Sequence, residues 1–199
     1  MASSIKENIS QSRKMSWVLS LLFVLCVAVS WILLFKLNEL IFTSVSFNEH
    51  IAWIFLPAAL RMLAVMVFEW LGVLGLFFGA IVTCEAMSFD NFSETMIISG
   101  ISALGPMLAL IICTHLFKLP SSLSGLDLKK LTIFGLIGAA CNVIPHNLYF
   151  YIADRMETPF AGITPMFIGD VAGTLIVLYV LALLQRFIST DRKARVSRD

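Results

Sequence analysis

Charge is what this sequence has least of. Only 14% of its 199 residues are Asp, Glu, Lys or Arg, against 59% hydrophobic, where a soluble domain carries about a quarter charged. Too few polar side chains remain to cover a water-facing surface, which excludes an ordinary soluble fold. The net charge of +1 provides no basic face, which excludes a nucleic-acid partner. The four cysteines, Cys26, Cys84, Cys113 and Cys141, lie in four different apolar runs and form no CxxC pair. A metal or redox site therefore has no local support, and they read as small buried apolar side chains. The three histidines, His50, His115 and His146, fall at three different places in the expected topology and do not group as metal ligands. No P-loop, GxSxG, HExxH or Rossmann fingerprint is present, so neither an enzymatic activity nor a cofactor is expected. There is no internal repeat of the kind that marks many secondary transporters, and no linker to a second domain.

What is there is apolar length. Mean hydropathy is +0.91, and a helix needs about 20 apolar residues to cross the hydrocarbon core. Six segments fit that scale: 16–37, 51–68, 72–87, 95–117, 131–153 and 165–187. The second and third share a stretch too long for one helix, interrupted near Glu69, Trp70 and Gly72. Lys6, Arg13 and Lys14 before the first run resemble the start of a secretory signal. The run is too long for a signal core, however, and no small-residue cleavage site follows it. The expected fold is thus an all-α, polytopic bundle of about six transmembrane helices, flanked by a segment 1–15 and a tail 188–199.

Loop charges orient it, because positive residues in short loops stay cytoplasmic. With the N-terminus inside, cytoplasmic segments hold Lys6, Arg13, Lys14, Lys118, Lys129, Lys130, Arg186, Arg192, Lys193, Arg195 and Arg198, eleven of the fourteen basic residues. Outer loops hold Glu39, Glu49, Glu85, Asp90, Glu94, Asp154 and Glu157, with only Lys36 and Arg155 basic. Both termini are therefore expected in the cytoplasm.

Two charges fall well inside spans, away from their ends, where they are costly unless they face the bundle interior or a wet cavity. Arg61 lies in the second segment and Asp170 in the sixth. At 1.5 Å per residue, Asp170 is roughly 8 Å deep past Pro165 and Arg61 roughly 6–15 Å. The fifth segment, running the other way, brings Asn142, His146 and Asn147 into its outer half beside Pro145. These five residues can meet at one level. Two readings fit: an ion pair that only locks two helices, with the amides as interhelical hydrogen bonds, or a small polar pocket open to the outer face.

Small residues suggest where helices approach closely: Gly75 with Gly79, Gly135 with Ala139, and Gly169 with Gly173 around Asp170. Pro57 and Pro165 sit near helix starts, where the missing N–H does little harm. Pro106 and Pro145 should bend their spans. Trp17, Trp53 and Trp70 are placed as interfacial anchors.

The stretch from Phe55 to Ala80, FLPAALRMLAVMVFEWLGVLGLFFGA, and the segment GDVAGTLIVL from Gly169 resemble the first family of bacterial membrane-associated sensor domains. In that family they sit at the N-terminus of diguanylate cyclases and histidine kinases. The matching positions are Pro57, Gly79, Gly169, Asp170 and Gly173. The resemblance implies a multi-pass domain of the bacterial inner membrane. It departs from the family in having six spans rather than about eight, and in having no output domain after Arg198, so that a signal is expected to pass to a separate protein. A weaker likeness, in size and helix count alone, is to the substrate-binding subunits of energy-coupling-factor vitamin transporters.

Three functions follow as alternatives. The first is a non-catalytic sensory or accessory module that binds a small ligand, or a partner's membrane helices, at the polar cluster. The second is a transport component, and the third a structural subunit of a membrane complex. All three imply the lipid bilayer and another membrane protein or complex as partners.

Overall fold

The computed structural model describes residues 2–48, 50–84, 91–118, 128–158 and 160–196. Glu49, Glu85, Asp90, Arg198 and most of the connection 118–130, on which parts of the charge count rest, lie outside them. Six helices follow one another: α1 (Ala2–Phe42), α2 (Pro57–Phe68), α3 (Trp70–Cys84), α4 (Phe92–Phe117), α5 (Leu128–Ile152) and α6 (Ile163–Val196). No strand occurs among the described residues. Among the described residues, four stretches are long and apolar enough to cross a membrane: Ser16–Val45, Phe92–Phe117, Lys129–Ile152 and Ile163–Leu181.

Packing follows from pairs of contacts. Gly75 and Gly79 of α3 lie against Val27 and Trp31 of α1, so α1 and α3 run parallel. Phe55, just before α2, meets Trp31 and Phe35, whereas Phe68 at its end meets Phe23. Helix α2 therefore runs against α1 and α3. Gly105 of α4 abuts Cys141 of α5, while Glu94 at the start of α4 pairs with Arg155 beyond the end of α5 at 2.8 Å. These two helices are antiparallel. Asn147 meets Met166 and Asn142 meets Asp170, which sets α6 antiparallel to α5. Side chains are sorted as a bilayer demands: Leu25, Phe78, Leu104, Ile144 and Leu175 face outward, while Arg61, Asp170, Asn142 and His146 are buried.

The second segment differs from its expected form. Helix α2 begins at Pro57 rather than at residue 51, and residues 46–48 and 50–56 form an irregular strap that enters the bundle. Non-helical backbone survives inside a membrane protein only if its polar groups are satisfied, and here seven of the strap's amides have an acceptor. Phe47 N–H and Asn48 N–H donate to Ile51 O, and Trp53 N–H to Val45 O. The Asn48 side chain accepts from His50 and Ile51 N–H. Phe55 N–H donates to the Gly169 carbonyl at 3.0 Å, and Leu56 N–H to the buried Asn38 side chain of α1 at 2.8 Å. Because the strap carries the chain inward, α2 needs only 12 residues.

Between α2 and α3 the chain reverses at one residue, the exposed Glu69, at φ 49°. A non-glycine residue at positive φ is uncommon. Its amide still donates to Val65 O and its carbonyl accepts from Val73 N–H. Gly72 then lets α3 fold directly onto the Ala64 carbonyl.

This geometry makes the topology testable. Helices α2 and α3 leave and return at the same end of the bundle, so the sides of the two termini do not depend on how deep their turn reaches. In a cysteine-free background, cysteines placed singly at Ser3 and Ser197 should resist an impermeant thiol reagent in intact cells, and one at Asn91 should react. Labelling at Ser197 with Ser3 protected would establish an odd number of crossings.

Candidate functional site

Arg61 points from α2 into the bundle, with a side chain only 4% exposed. Its Nη2 donates to Asp170 Oδ1 of α6 at 2.5 Å. Asn142 Nδ2 of α5 donates to the other carboxylate oxygen at 2.8 Å. Each carboxylate oxygen thus has its own donor, from a different helix. The Arg61 guanidinium also lies over the rings of Phe55 and Trp31, at 5.2 and 5.9 Å from their centroids, a cation–π arrangement that partly replaces lost hydration. Thr174 Oγ1 donates to the Asp170 carbonyl, one turn back along α6, at 2.7 Å.

His146 sits one turn beyond Asn142 and makes a 2.7 Å hydrogen bond between its Nδ1 and the Asn142 carbonyl. A carbonyl only accepts, so Nδ1 carries the proton, and in the neutral ring Nε2 is an acceptor. His146 and the strap residue His50 lie at 6.0 and 5.4 Å from the same Phe150 ring.

The structure joins four of the five expected site residues. Arg61, Asp170 and Asn142 are directly bonded, and His146 lines the same cavity. Asn147 is separate. It is fully buried, but its amide nitrogen donates to Val143 O and reaches Met166 Sδ at 3.6 Å. The reason is helical phase: four residues from Asn142 keep His146 on the same face, whereas a fifth turns Asn147 about 140° away. The glycines also act differently from expectation. Gly169 and Gly173 lie not against a helix but against the strap carbonyls of Ala52 and Phe55. A side chain at Gly135 would meet nothing within 4 Å, so it makes no close approach.

Between these elements lies a cavity of about 50 Å³ lined by Trp31, His50, Phe55, Arg61, His146 and Asp170, with Thr83 and Ser102 at its wall. Trp31 Nε1 donates to Thr83 Oγ1 at 3.0 Å, and that hydroxyl lies within hydrogen-bonding distance of Gly79 and Ala80 carbonyls. On the other side of the strap is a second, larger space of about 340 Å³, walled by Asn38, Glu39 and Asn48. His50, Ile51, Ala52 and Phe55 line both, so the strap is the partition between them. Sequence reasoning passed over Trp31, although a tryptophan in mid-span must find a partner for its N–H. Among the described residues no group of three His, Cys, Asp or Glu side chains is placed to hold a metal ion.

A six-helix membrane bundle built around a buried, strap-covered charge network defines a polytopic membrane domain with an internal polar centre. The chain belongs to the MASE1 family of membrane-associated sensor domains, whose model matches residues 19–196. No characterised protein and no solved structure matches it. The likeness to energy-coupling-factor subunits, which rested on size and helix count, is left without support.

Proposed function

We propose that this chain is a non-catalytic sensory module of the bacterial inner membrane that reads a small polar molecule in the cavity beside Arg61 and Asp170. The observation that carries this reading is a fully buried charge network facing open space rather than closing on itself. A pair that served only to lock α2 to α6 has no use for a cavity at its side. Family membership supports the sensory role. The route outward is α6: it is one continuous helix from Ile163 to Val196, about 50 Å at 1.5 Å per residue. That exceeds the roughly 30 Å hydrocarbon core. A change at Asp170 is thereby carried along a rigid element to the far side, where an output partner of the cyclase or kinase kind is expected.

The test is a screen of small polar solutes against the full chain in lipid nanodiscs, read as the unfolding midpoint. A solute at a hundred times its Kd should stabilise by about 2.7 kcal/mol, or about 5–10 °C for a chain of this size. The shift should vanish in Arg61→Met/Asp170→Asn. A screen with no shift, or with shifts unchanged in that variant, would overturn the reading.

A further inference from the structure

The polar atoms that face the cavity specify more than a polar ligand. Arg61 is 3% exposed and carries five N–H donors, of which one is used, on Asp170. No other hydrogen-bond partner of Arg61 occurs among the described residues. Its guanidinium carbon lies over the rings of Phe55 and Trp31, and the free donors, which lie in the plane of the guanidinium, call for an acceptor. Acceptors are also on offer to a ligand. His146 presents Nε2, because Nδ1 is committed to the Asn142 carbonyl. On α4, Pro106 supplies no N–H to the carbonyl four residues back, which is that of Ser102, and Ser102 lines the cavity. The Ser102 hydroxyl is 93% buried with its residue and has no hydrogen-bond partner among the described residues.

Charge then limits the choice. Arg61 and Asp170 neutralise one another, so the cavity has no net charge to balance an ion. A ligand bearing a charge would leave it unpaired in a desolvated space, the costliest arrangement available. Size limits it further. About 50 Å³ holds roughly three to five water-sized bodies at roughly 10–15 Å³ each, and hence about four non-hydrogen atoms.

Resting on the sensory reading above, we infer that the cavity selects an uncharged ligand with a carbonyl next to an N–H or O–H: a small primary amide, or a short carboxylic acid in its undissociated form. The carbonyl faces the Arg61 donors, and the neighbouring N–H or O–H faces His146 Nε2 or the Ser102 acceptors. Both sources share one chemistry and differ only in their response to pH.

The probes are acetamide, acetate and acetone, each of four non-hydrogen atoms, titrated at pH 5.5 and 7.5 against the full chain in nanodiscs. Affinities for ligands this small reach at best tens of micromolar, so millimolar concentrations are used. The titratable groups around the ligand are Arg61 from α2, Cys84 from α3, His146 from α5, Asp170 from α6 and His50 from the strap. The walls from α1 and α4, Trp31 and Ser102, do not titrate. Acetamide reports any titration of the protein itself, and its Kd should agree at the two pH values within about twofold. Acetate, bound with one proton, should be about 100-fold weaker at pH 7.5 than at pH 5.5, tenfold per unit. Acetone, an acceptor without a donor, should be about tenfold weaker than acetamide, and Ser102→Ala should weaken acetamide while leaving acetone unchanged.

Acetate binding equally at both pH values would mark an anion site and overturn the inference, as would acetone matching acetamide. If none of the three shifts the midpoint while another solute does so in an Arg61-dependent manner, the ligand class falls and the sensory reading stands. If no solute does, both fall.

Discussion

Replacing Arg61 by Met should cost the bundle about 3–5 kcal/mol, the usual effect of removing one partner from a buried ion pair. The unfolding midpoint should drop by about 10 °C. Arg61→Met/Asp170→Asn should lose much less. The single variant strands a carboxylate that is 3% exposed and retains only the Asn142 donor. The double variant leaves a neutral amide that still accepts that hydrogen bond, so no charge is left unpaired. Replacing both members of a buried pair by uncharged residues is often neutral or better. Midpoints of the two single variants and the double, measured in one lipid composition, complete a double-mutant cycle. If the double variant is as damaged as Arg61→Met, the pair does not carry the coupling that its geometry implies.

That pair was legible in the sequence for a physical reason. A lone charge in an apolar span must find a partner, only two charges lie well away from the ends of the expected spans, and helical rise places both at similar depth. Asn142 and His146 followed by the same arithmetic, and helical phase, applied to Asn147, would have set it apart. The strap was not legible. Residues 51–56, Ile-Ala-Trp-Ile-Phe-Leu, read as the start of an apolar helix, because hydropathy is blind to where backbone hydrogen bonds go. The bonds that let the strap remain irregular come from Asn38, 18 residues before Leu56, and from Gly169, more than a hundred residues after Phe55. No local pattern encodes such pairings. The same blindness hid His50, which reads as an outer-loop residue and becomes 5% exposed only because the strap folds inward. The Gly169–Gly173 spacing was visible, but its use as a seat for carbonyl groups, rather than for another helix, depended on the strap.

Gly173→Ala should therefore act on the strap rather than on α6. A Cβ there overlaps the Phe55 carbonyl and approaches the Leu56 amide. These are backbone atoms that cannot rotate away as a side chain could, so the strap must lift. Overpacking of this kind costs about 1–3 kcal/mol, or about 4–8 °C at the middle of that range. Lifting also strains the hydrogen bond from Phe55 N–H to Gly169 and loosens the partition beneath which Arg61 is buried. Gly135→Ala is the matched comparison: the same chemical change in α5, with nothing within 4 Å of the added carbon. Helix propensity favours Ala over Gly by about 1 kcal/mol at both positions, so Gly135→Ala should be neutral or slightly stabilising, and the difference between the two variants isolates the strap. A cysteine at His50 supplies the structural readout. It should be slow to react in the parent and in Gly135→Ala, and should react at least about tenfold faster in Gly173→Ala, since a tenfold change corresponds to about 1.4 kcal/mol of opening. Equal reactivity in all three backgrounds, with Gly173→Ala no less stable than Gly135→Ala, would show that the strap is not held by α6, and the coupling of cavity to output helix would lose its physical link.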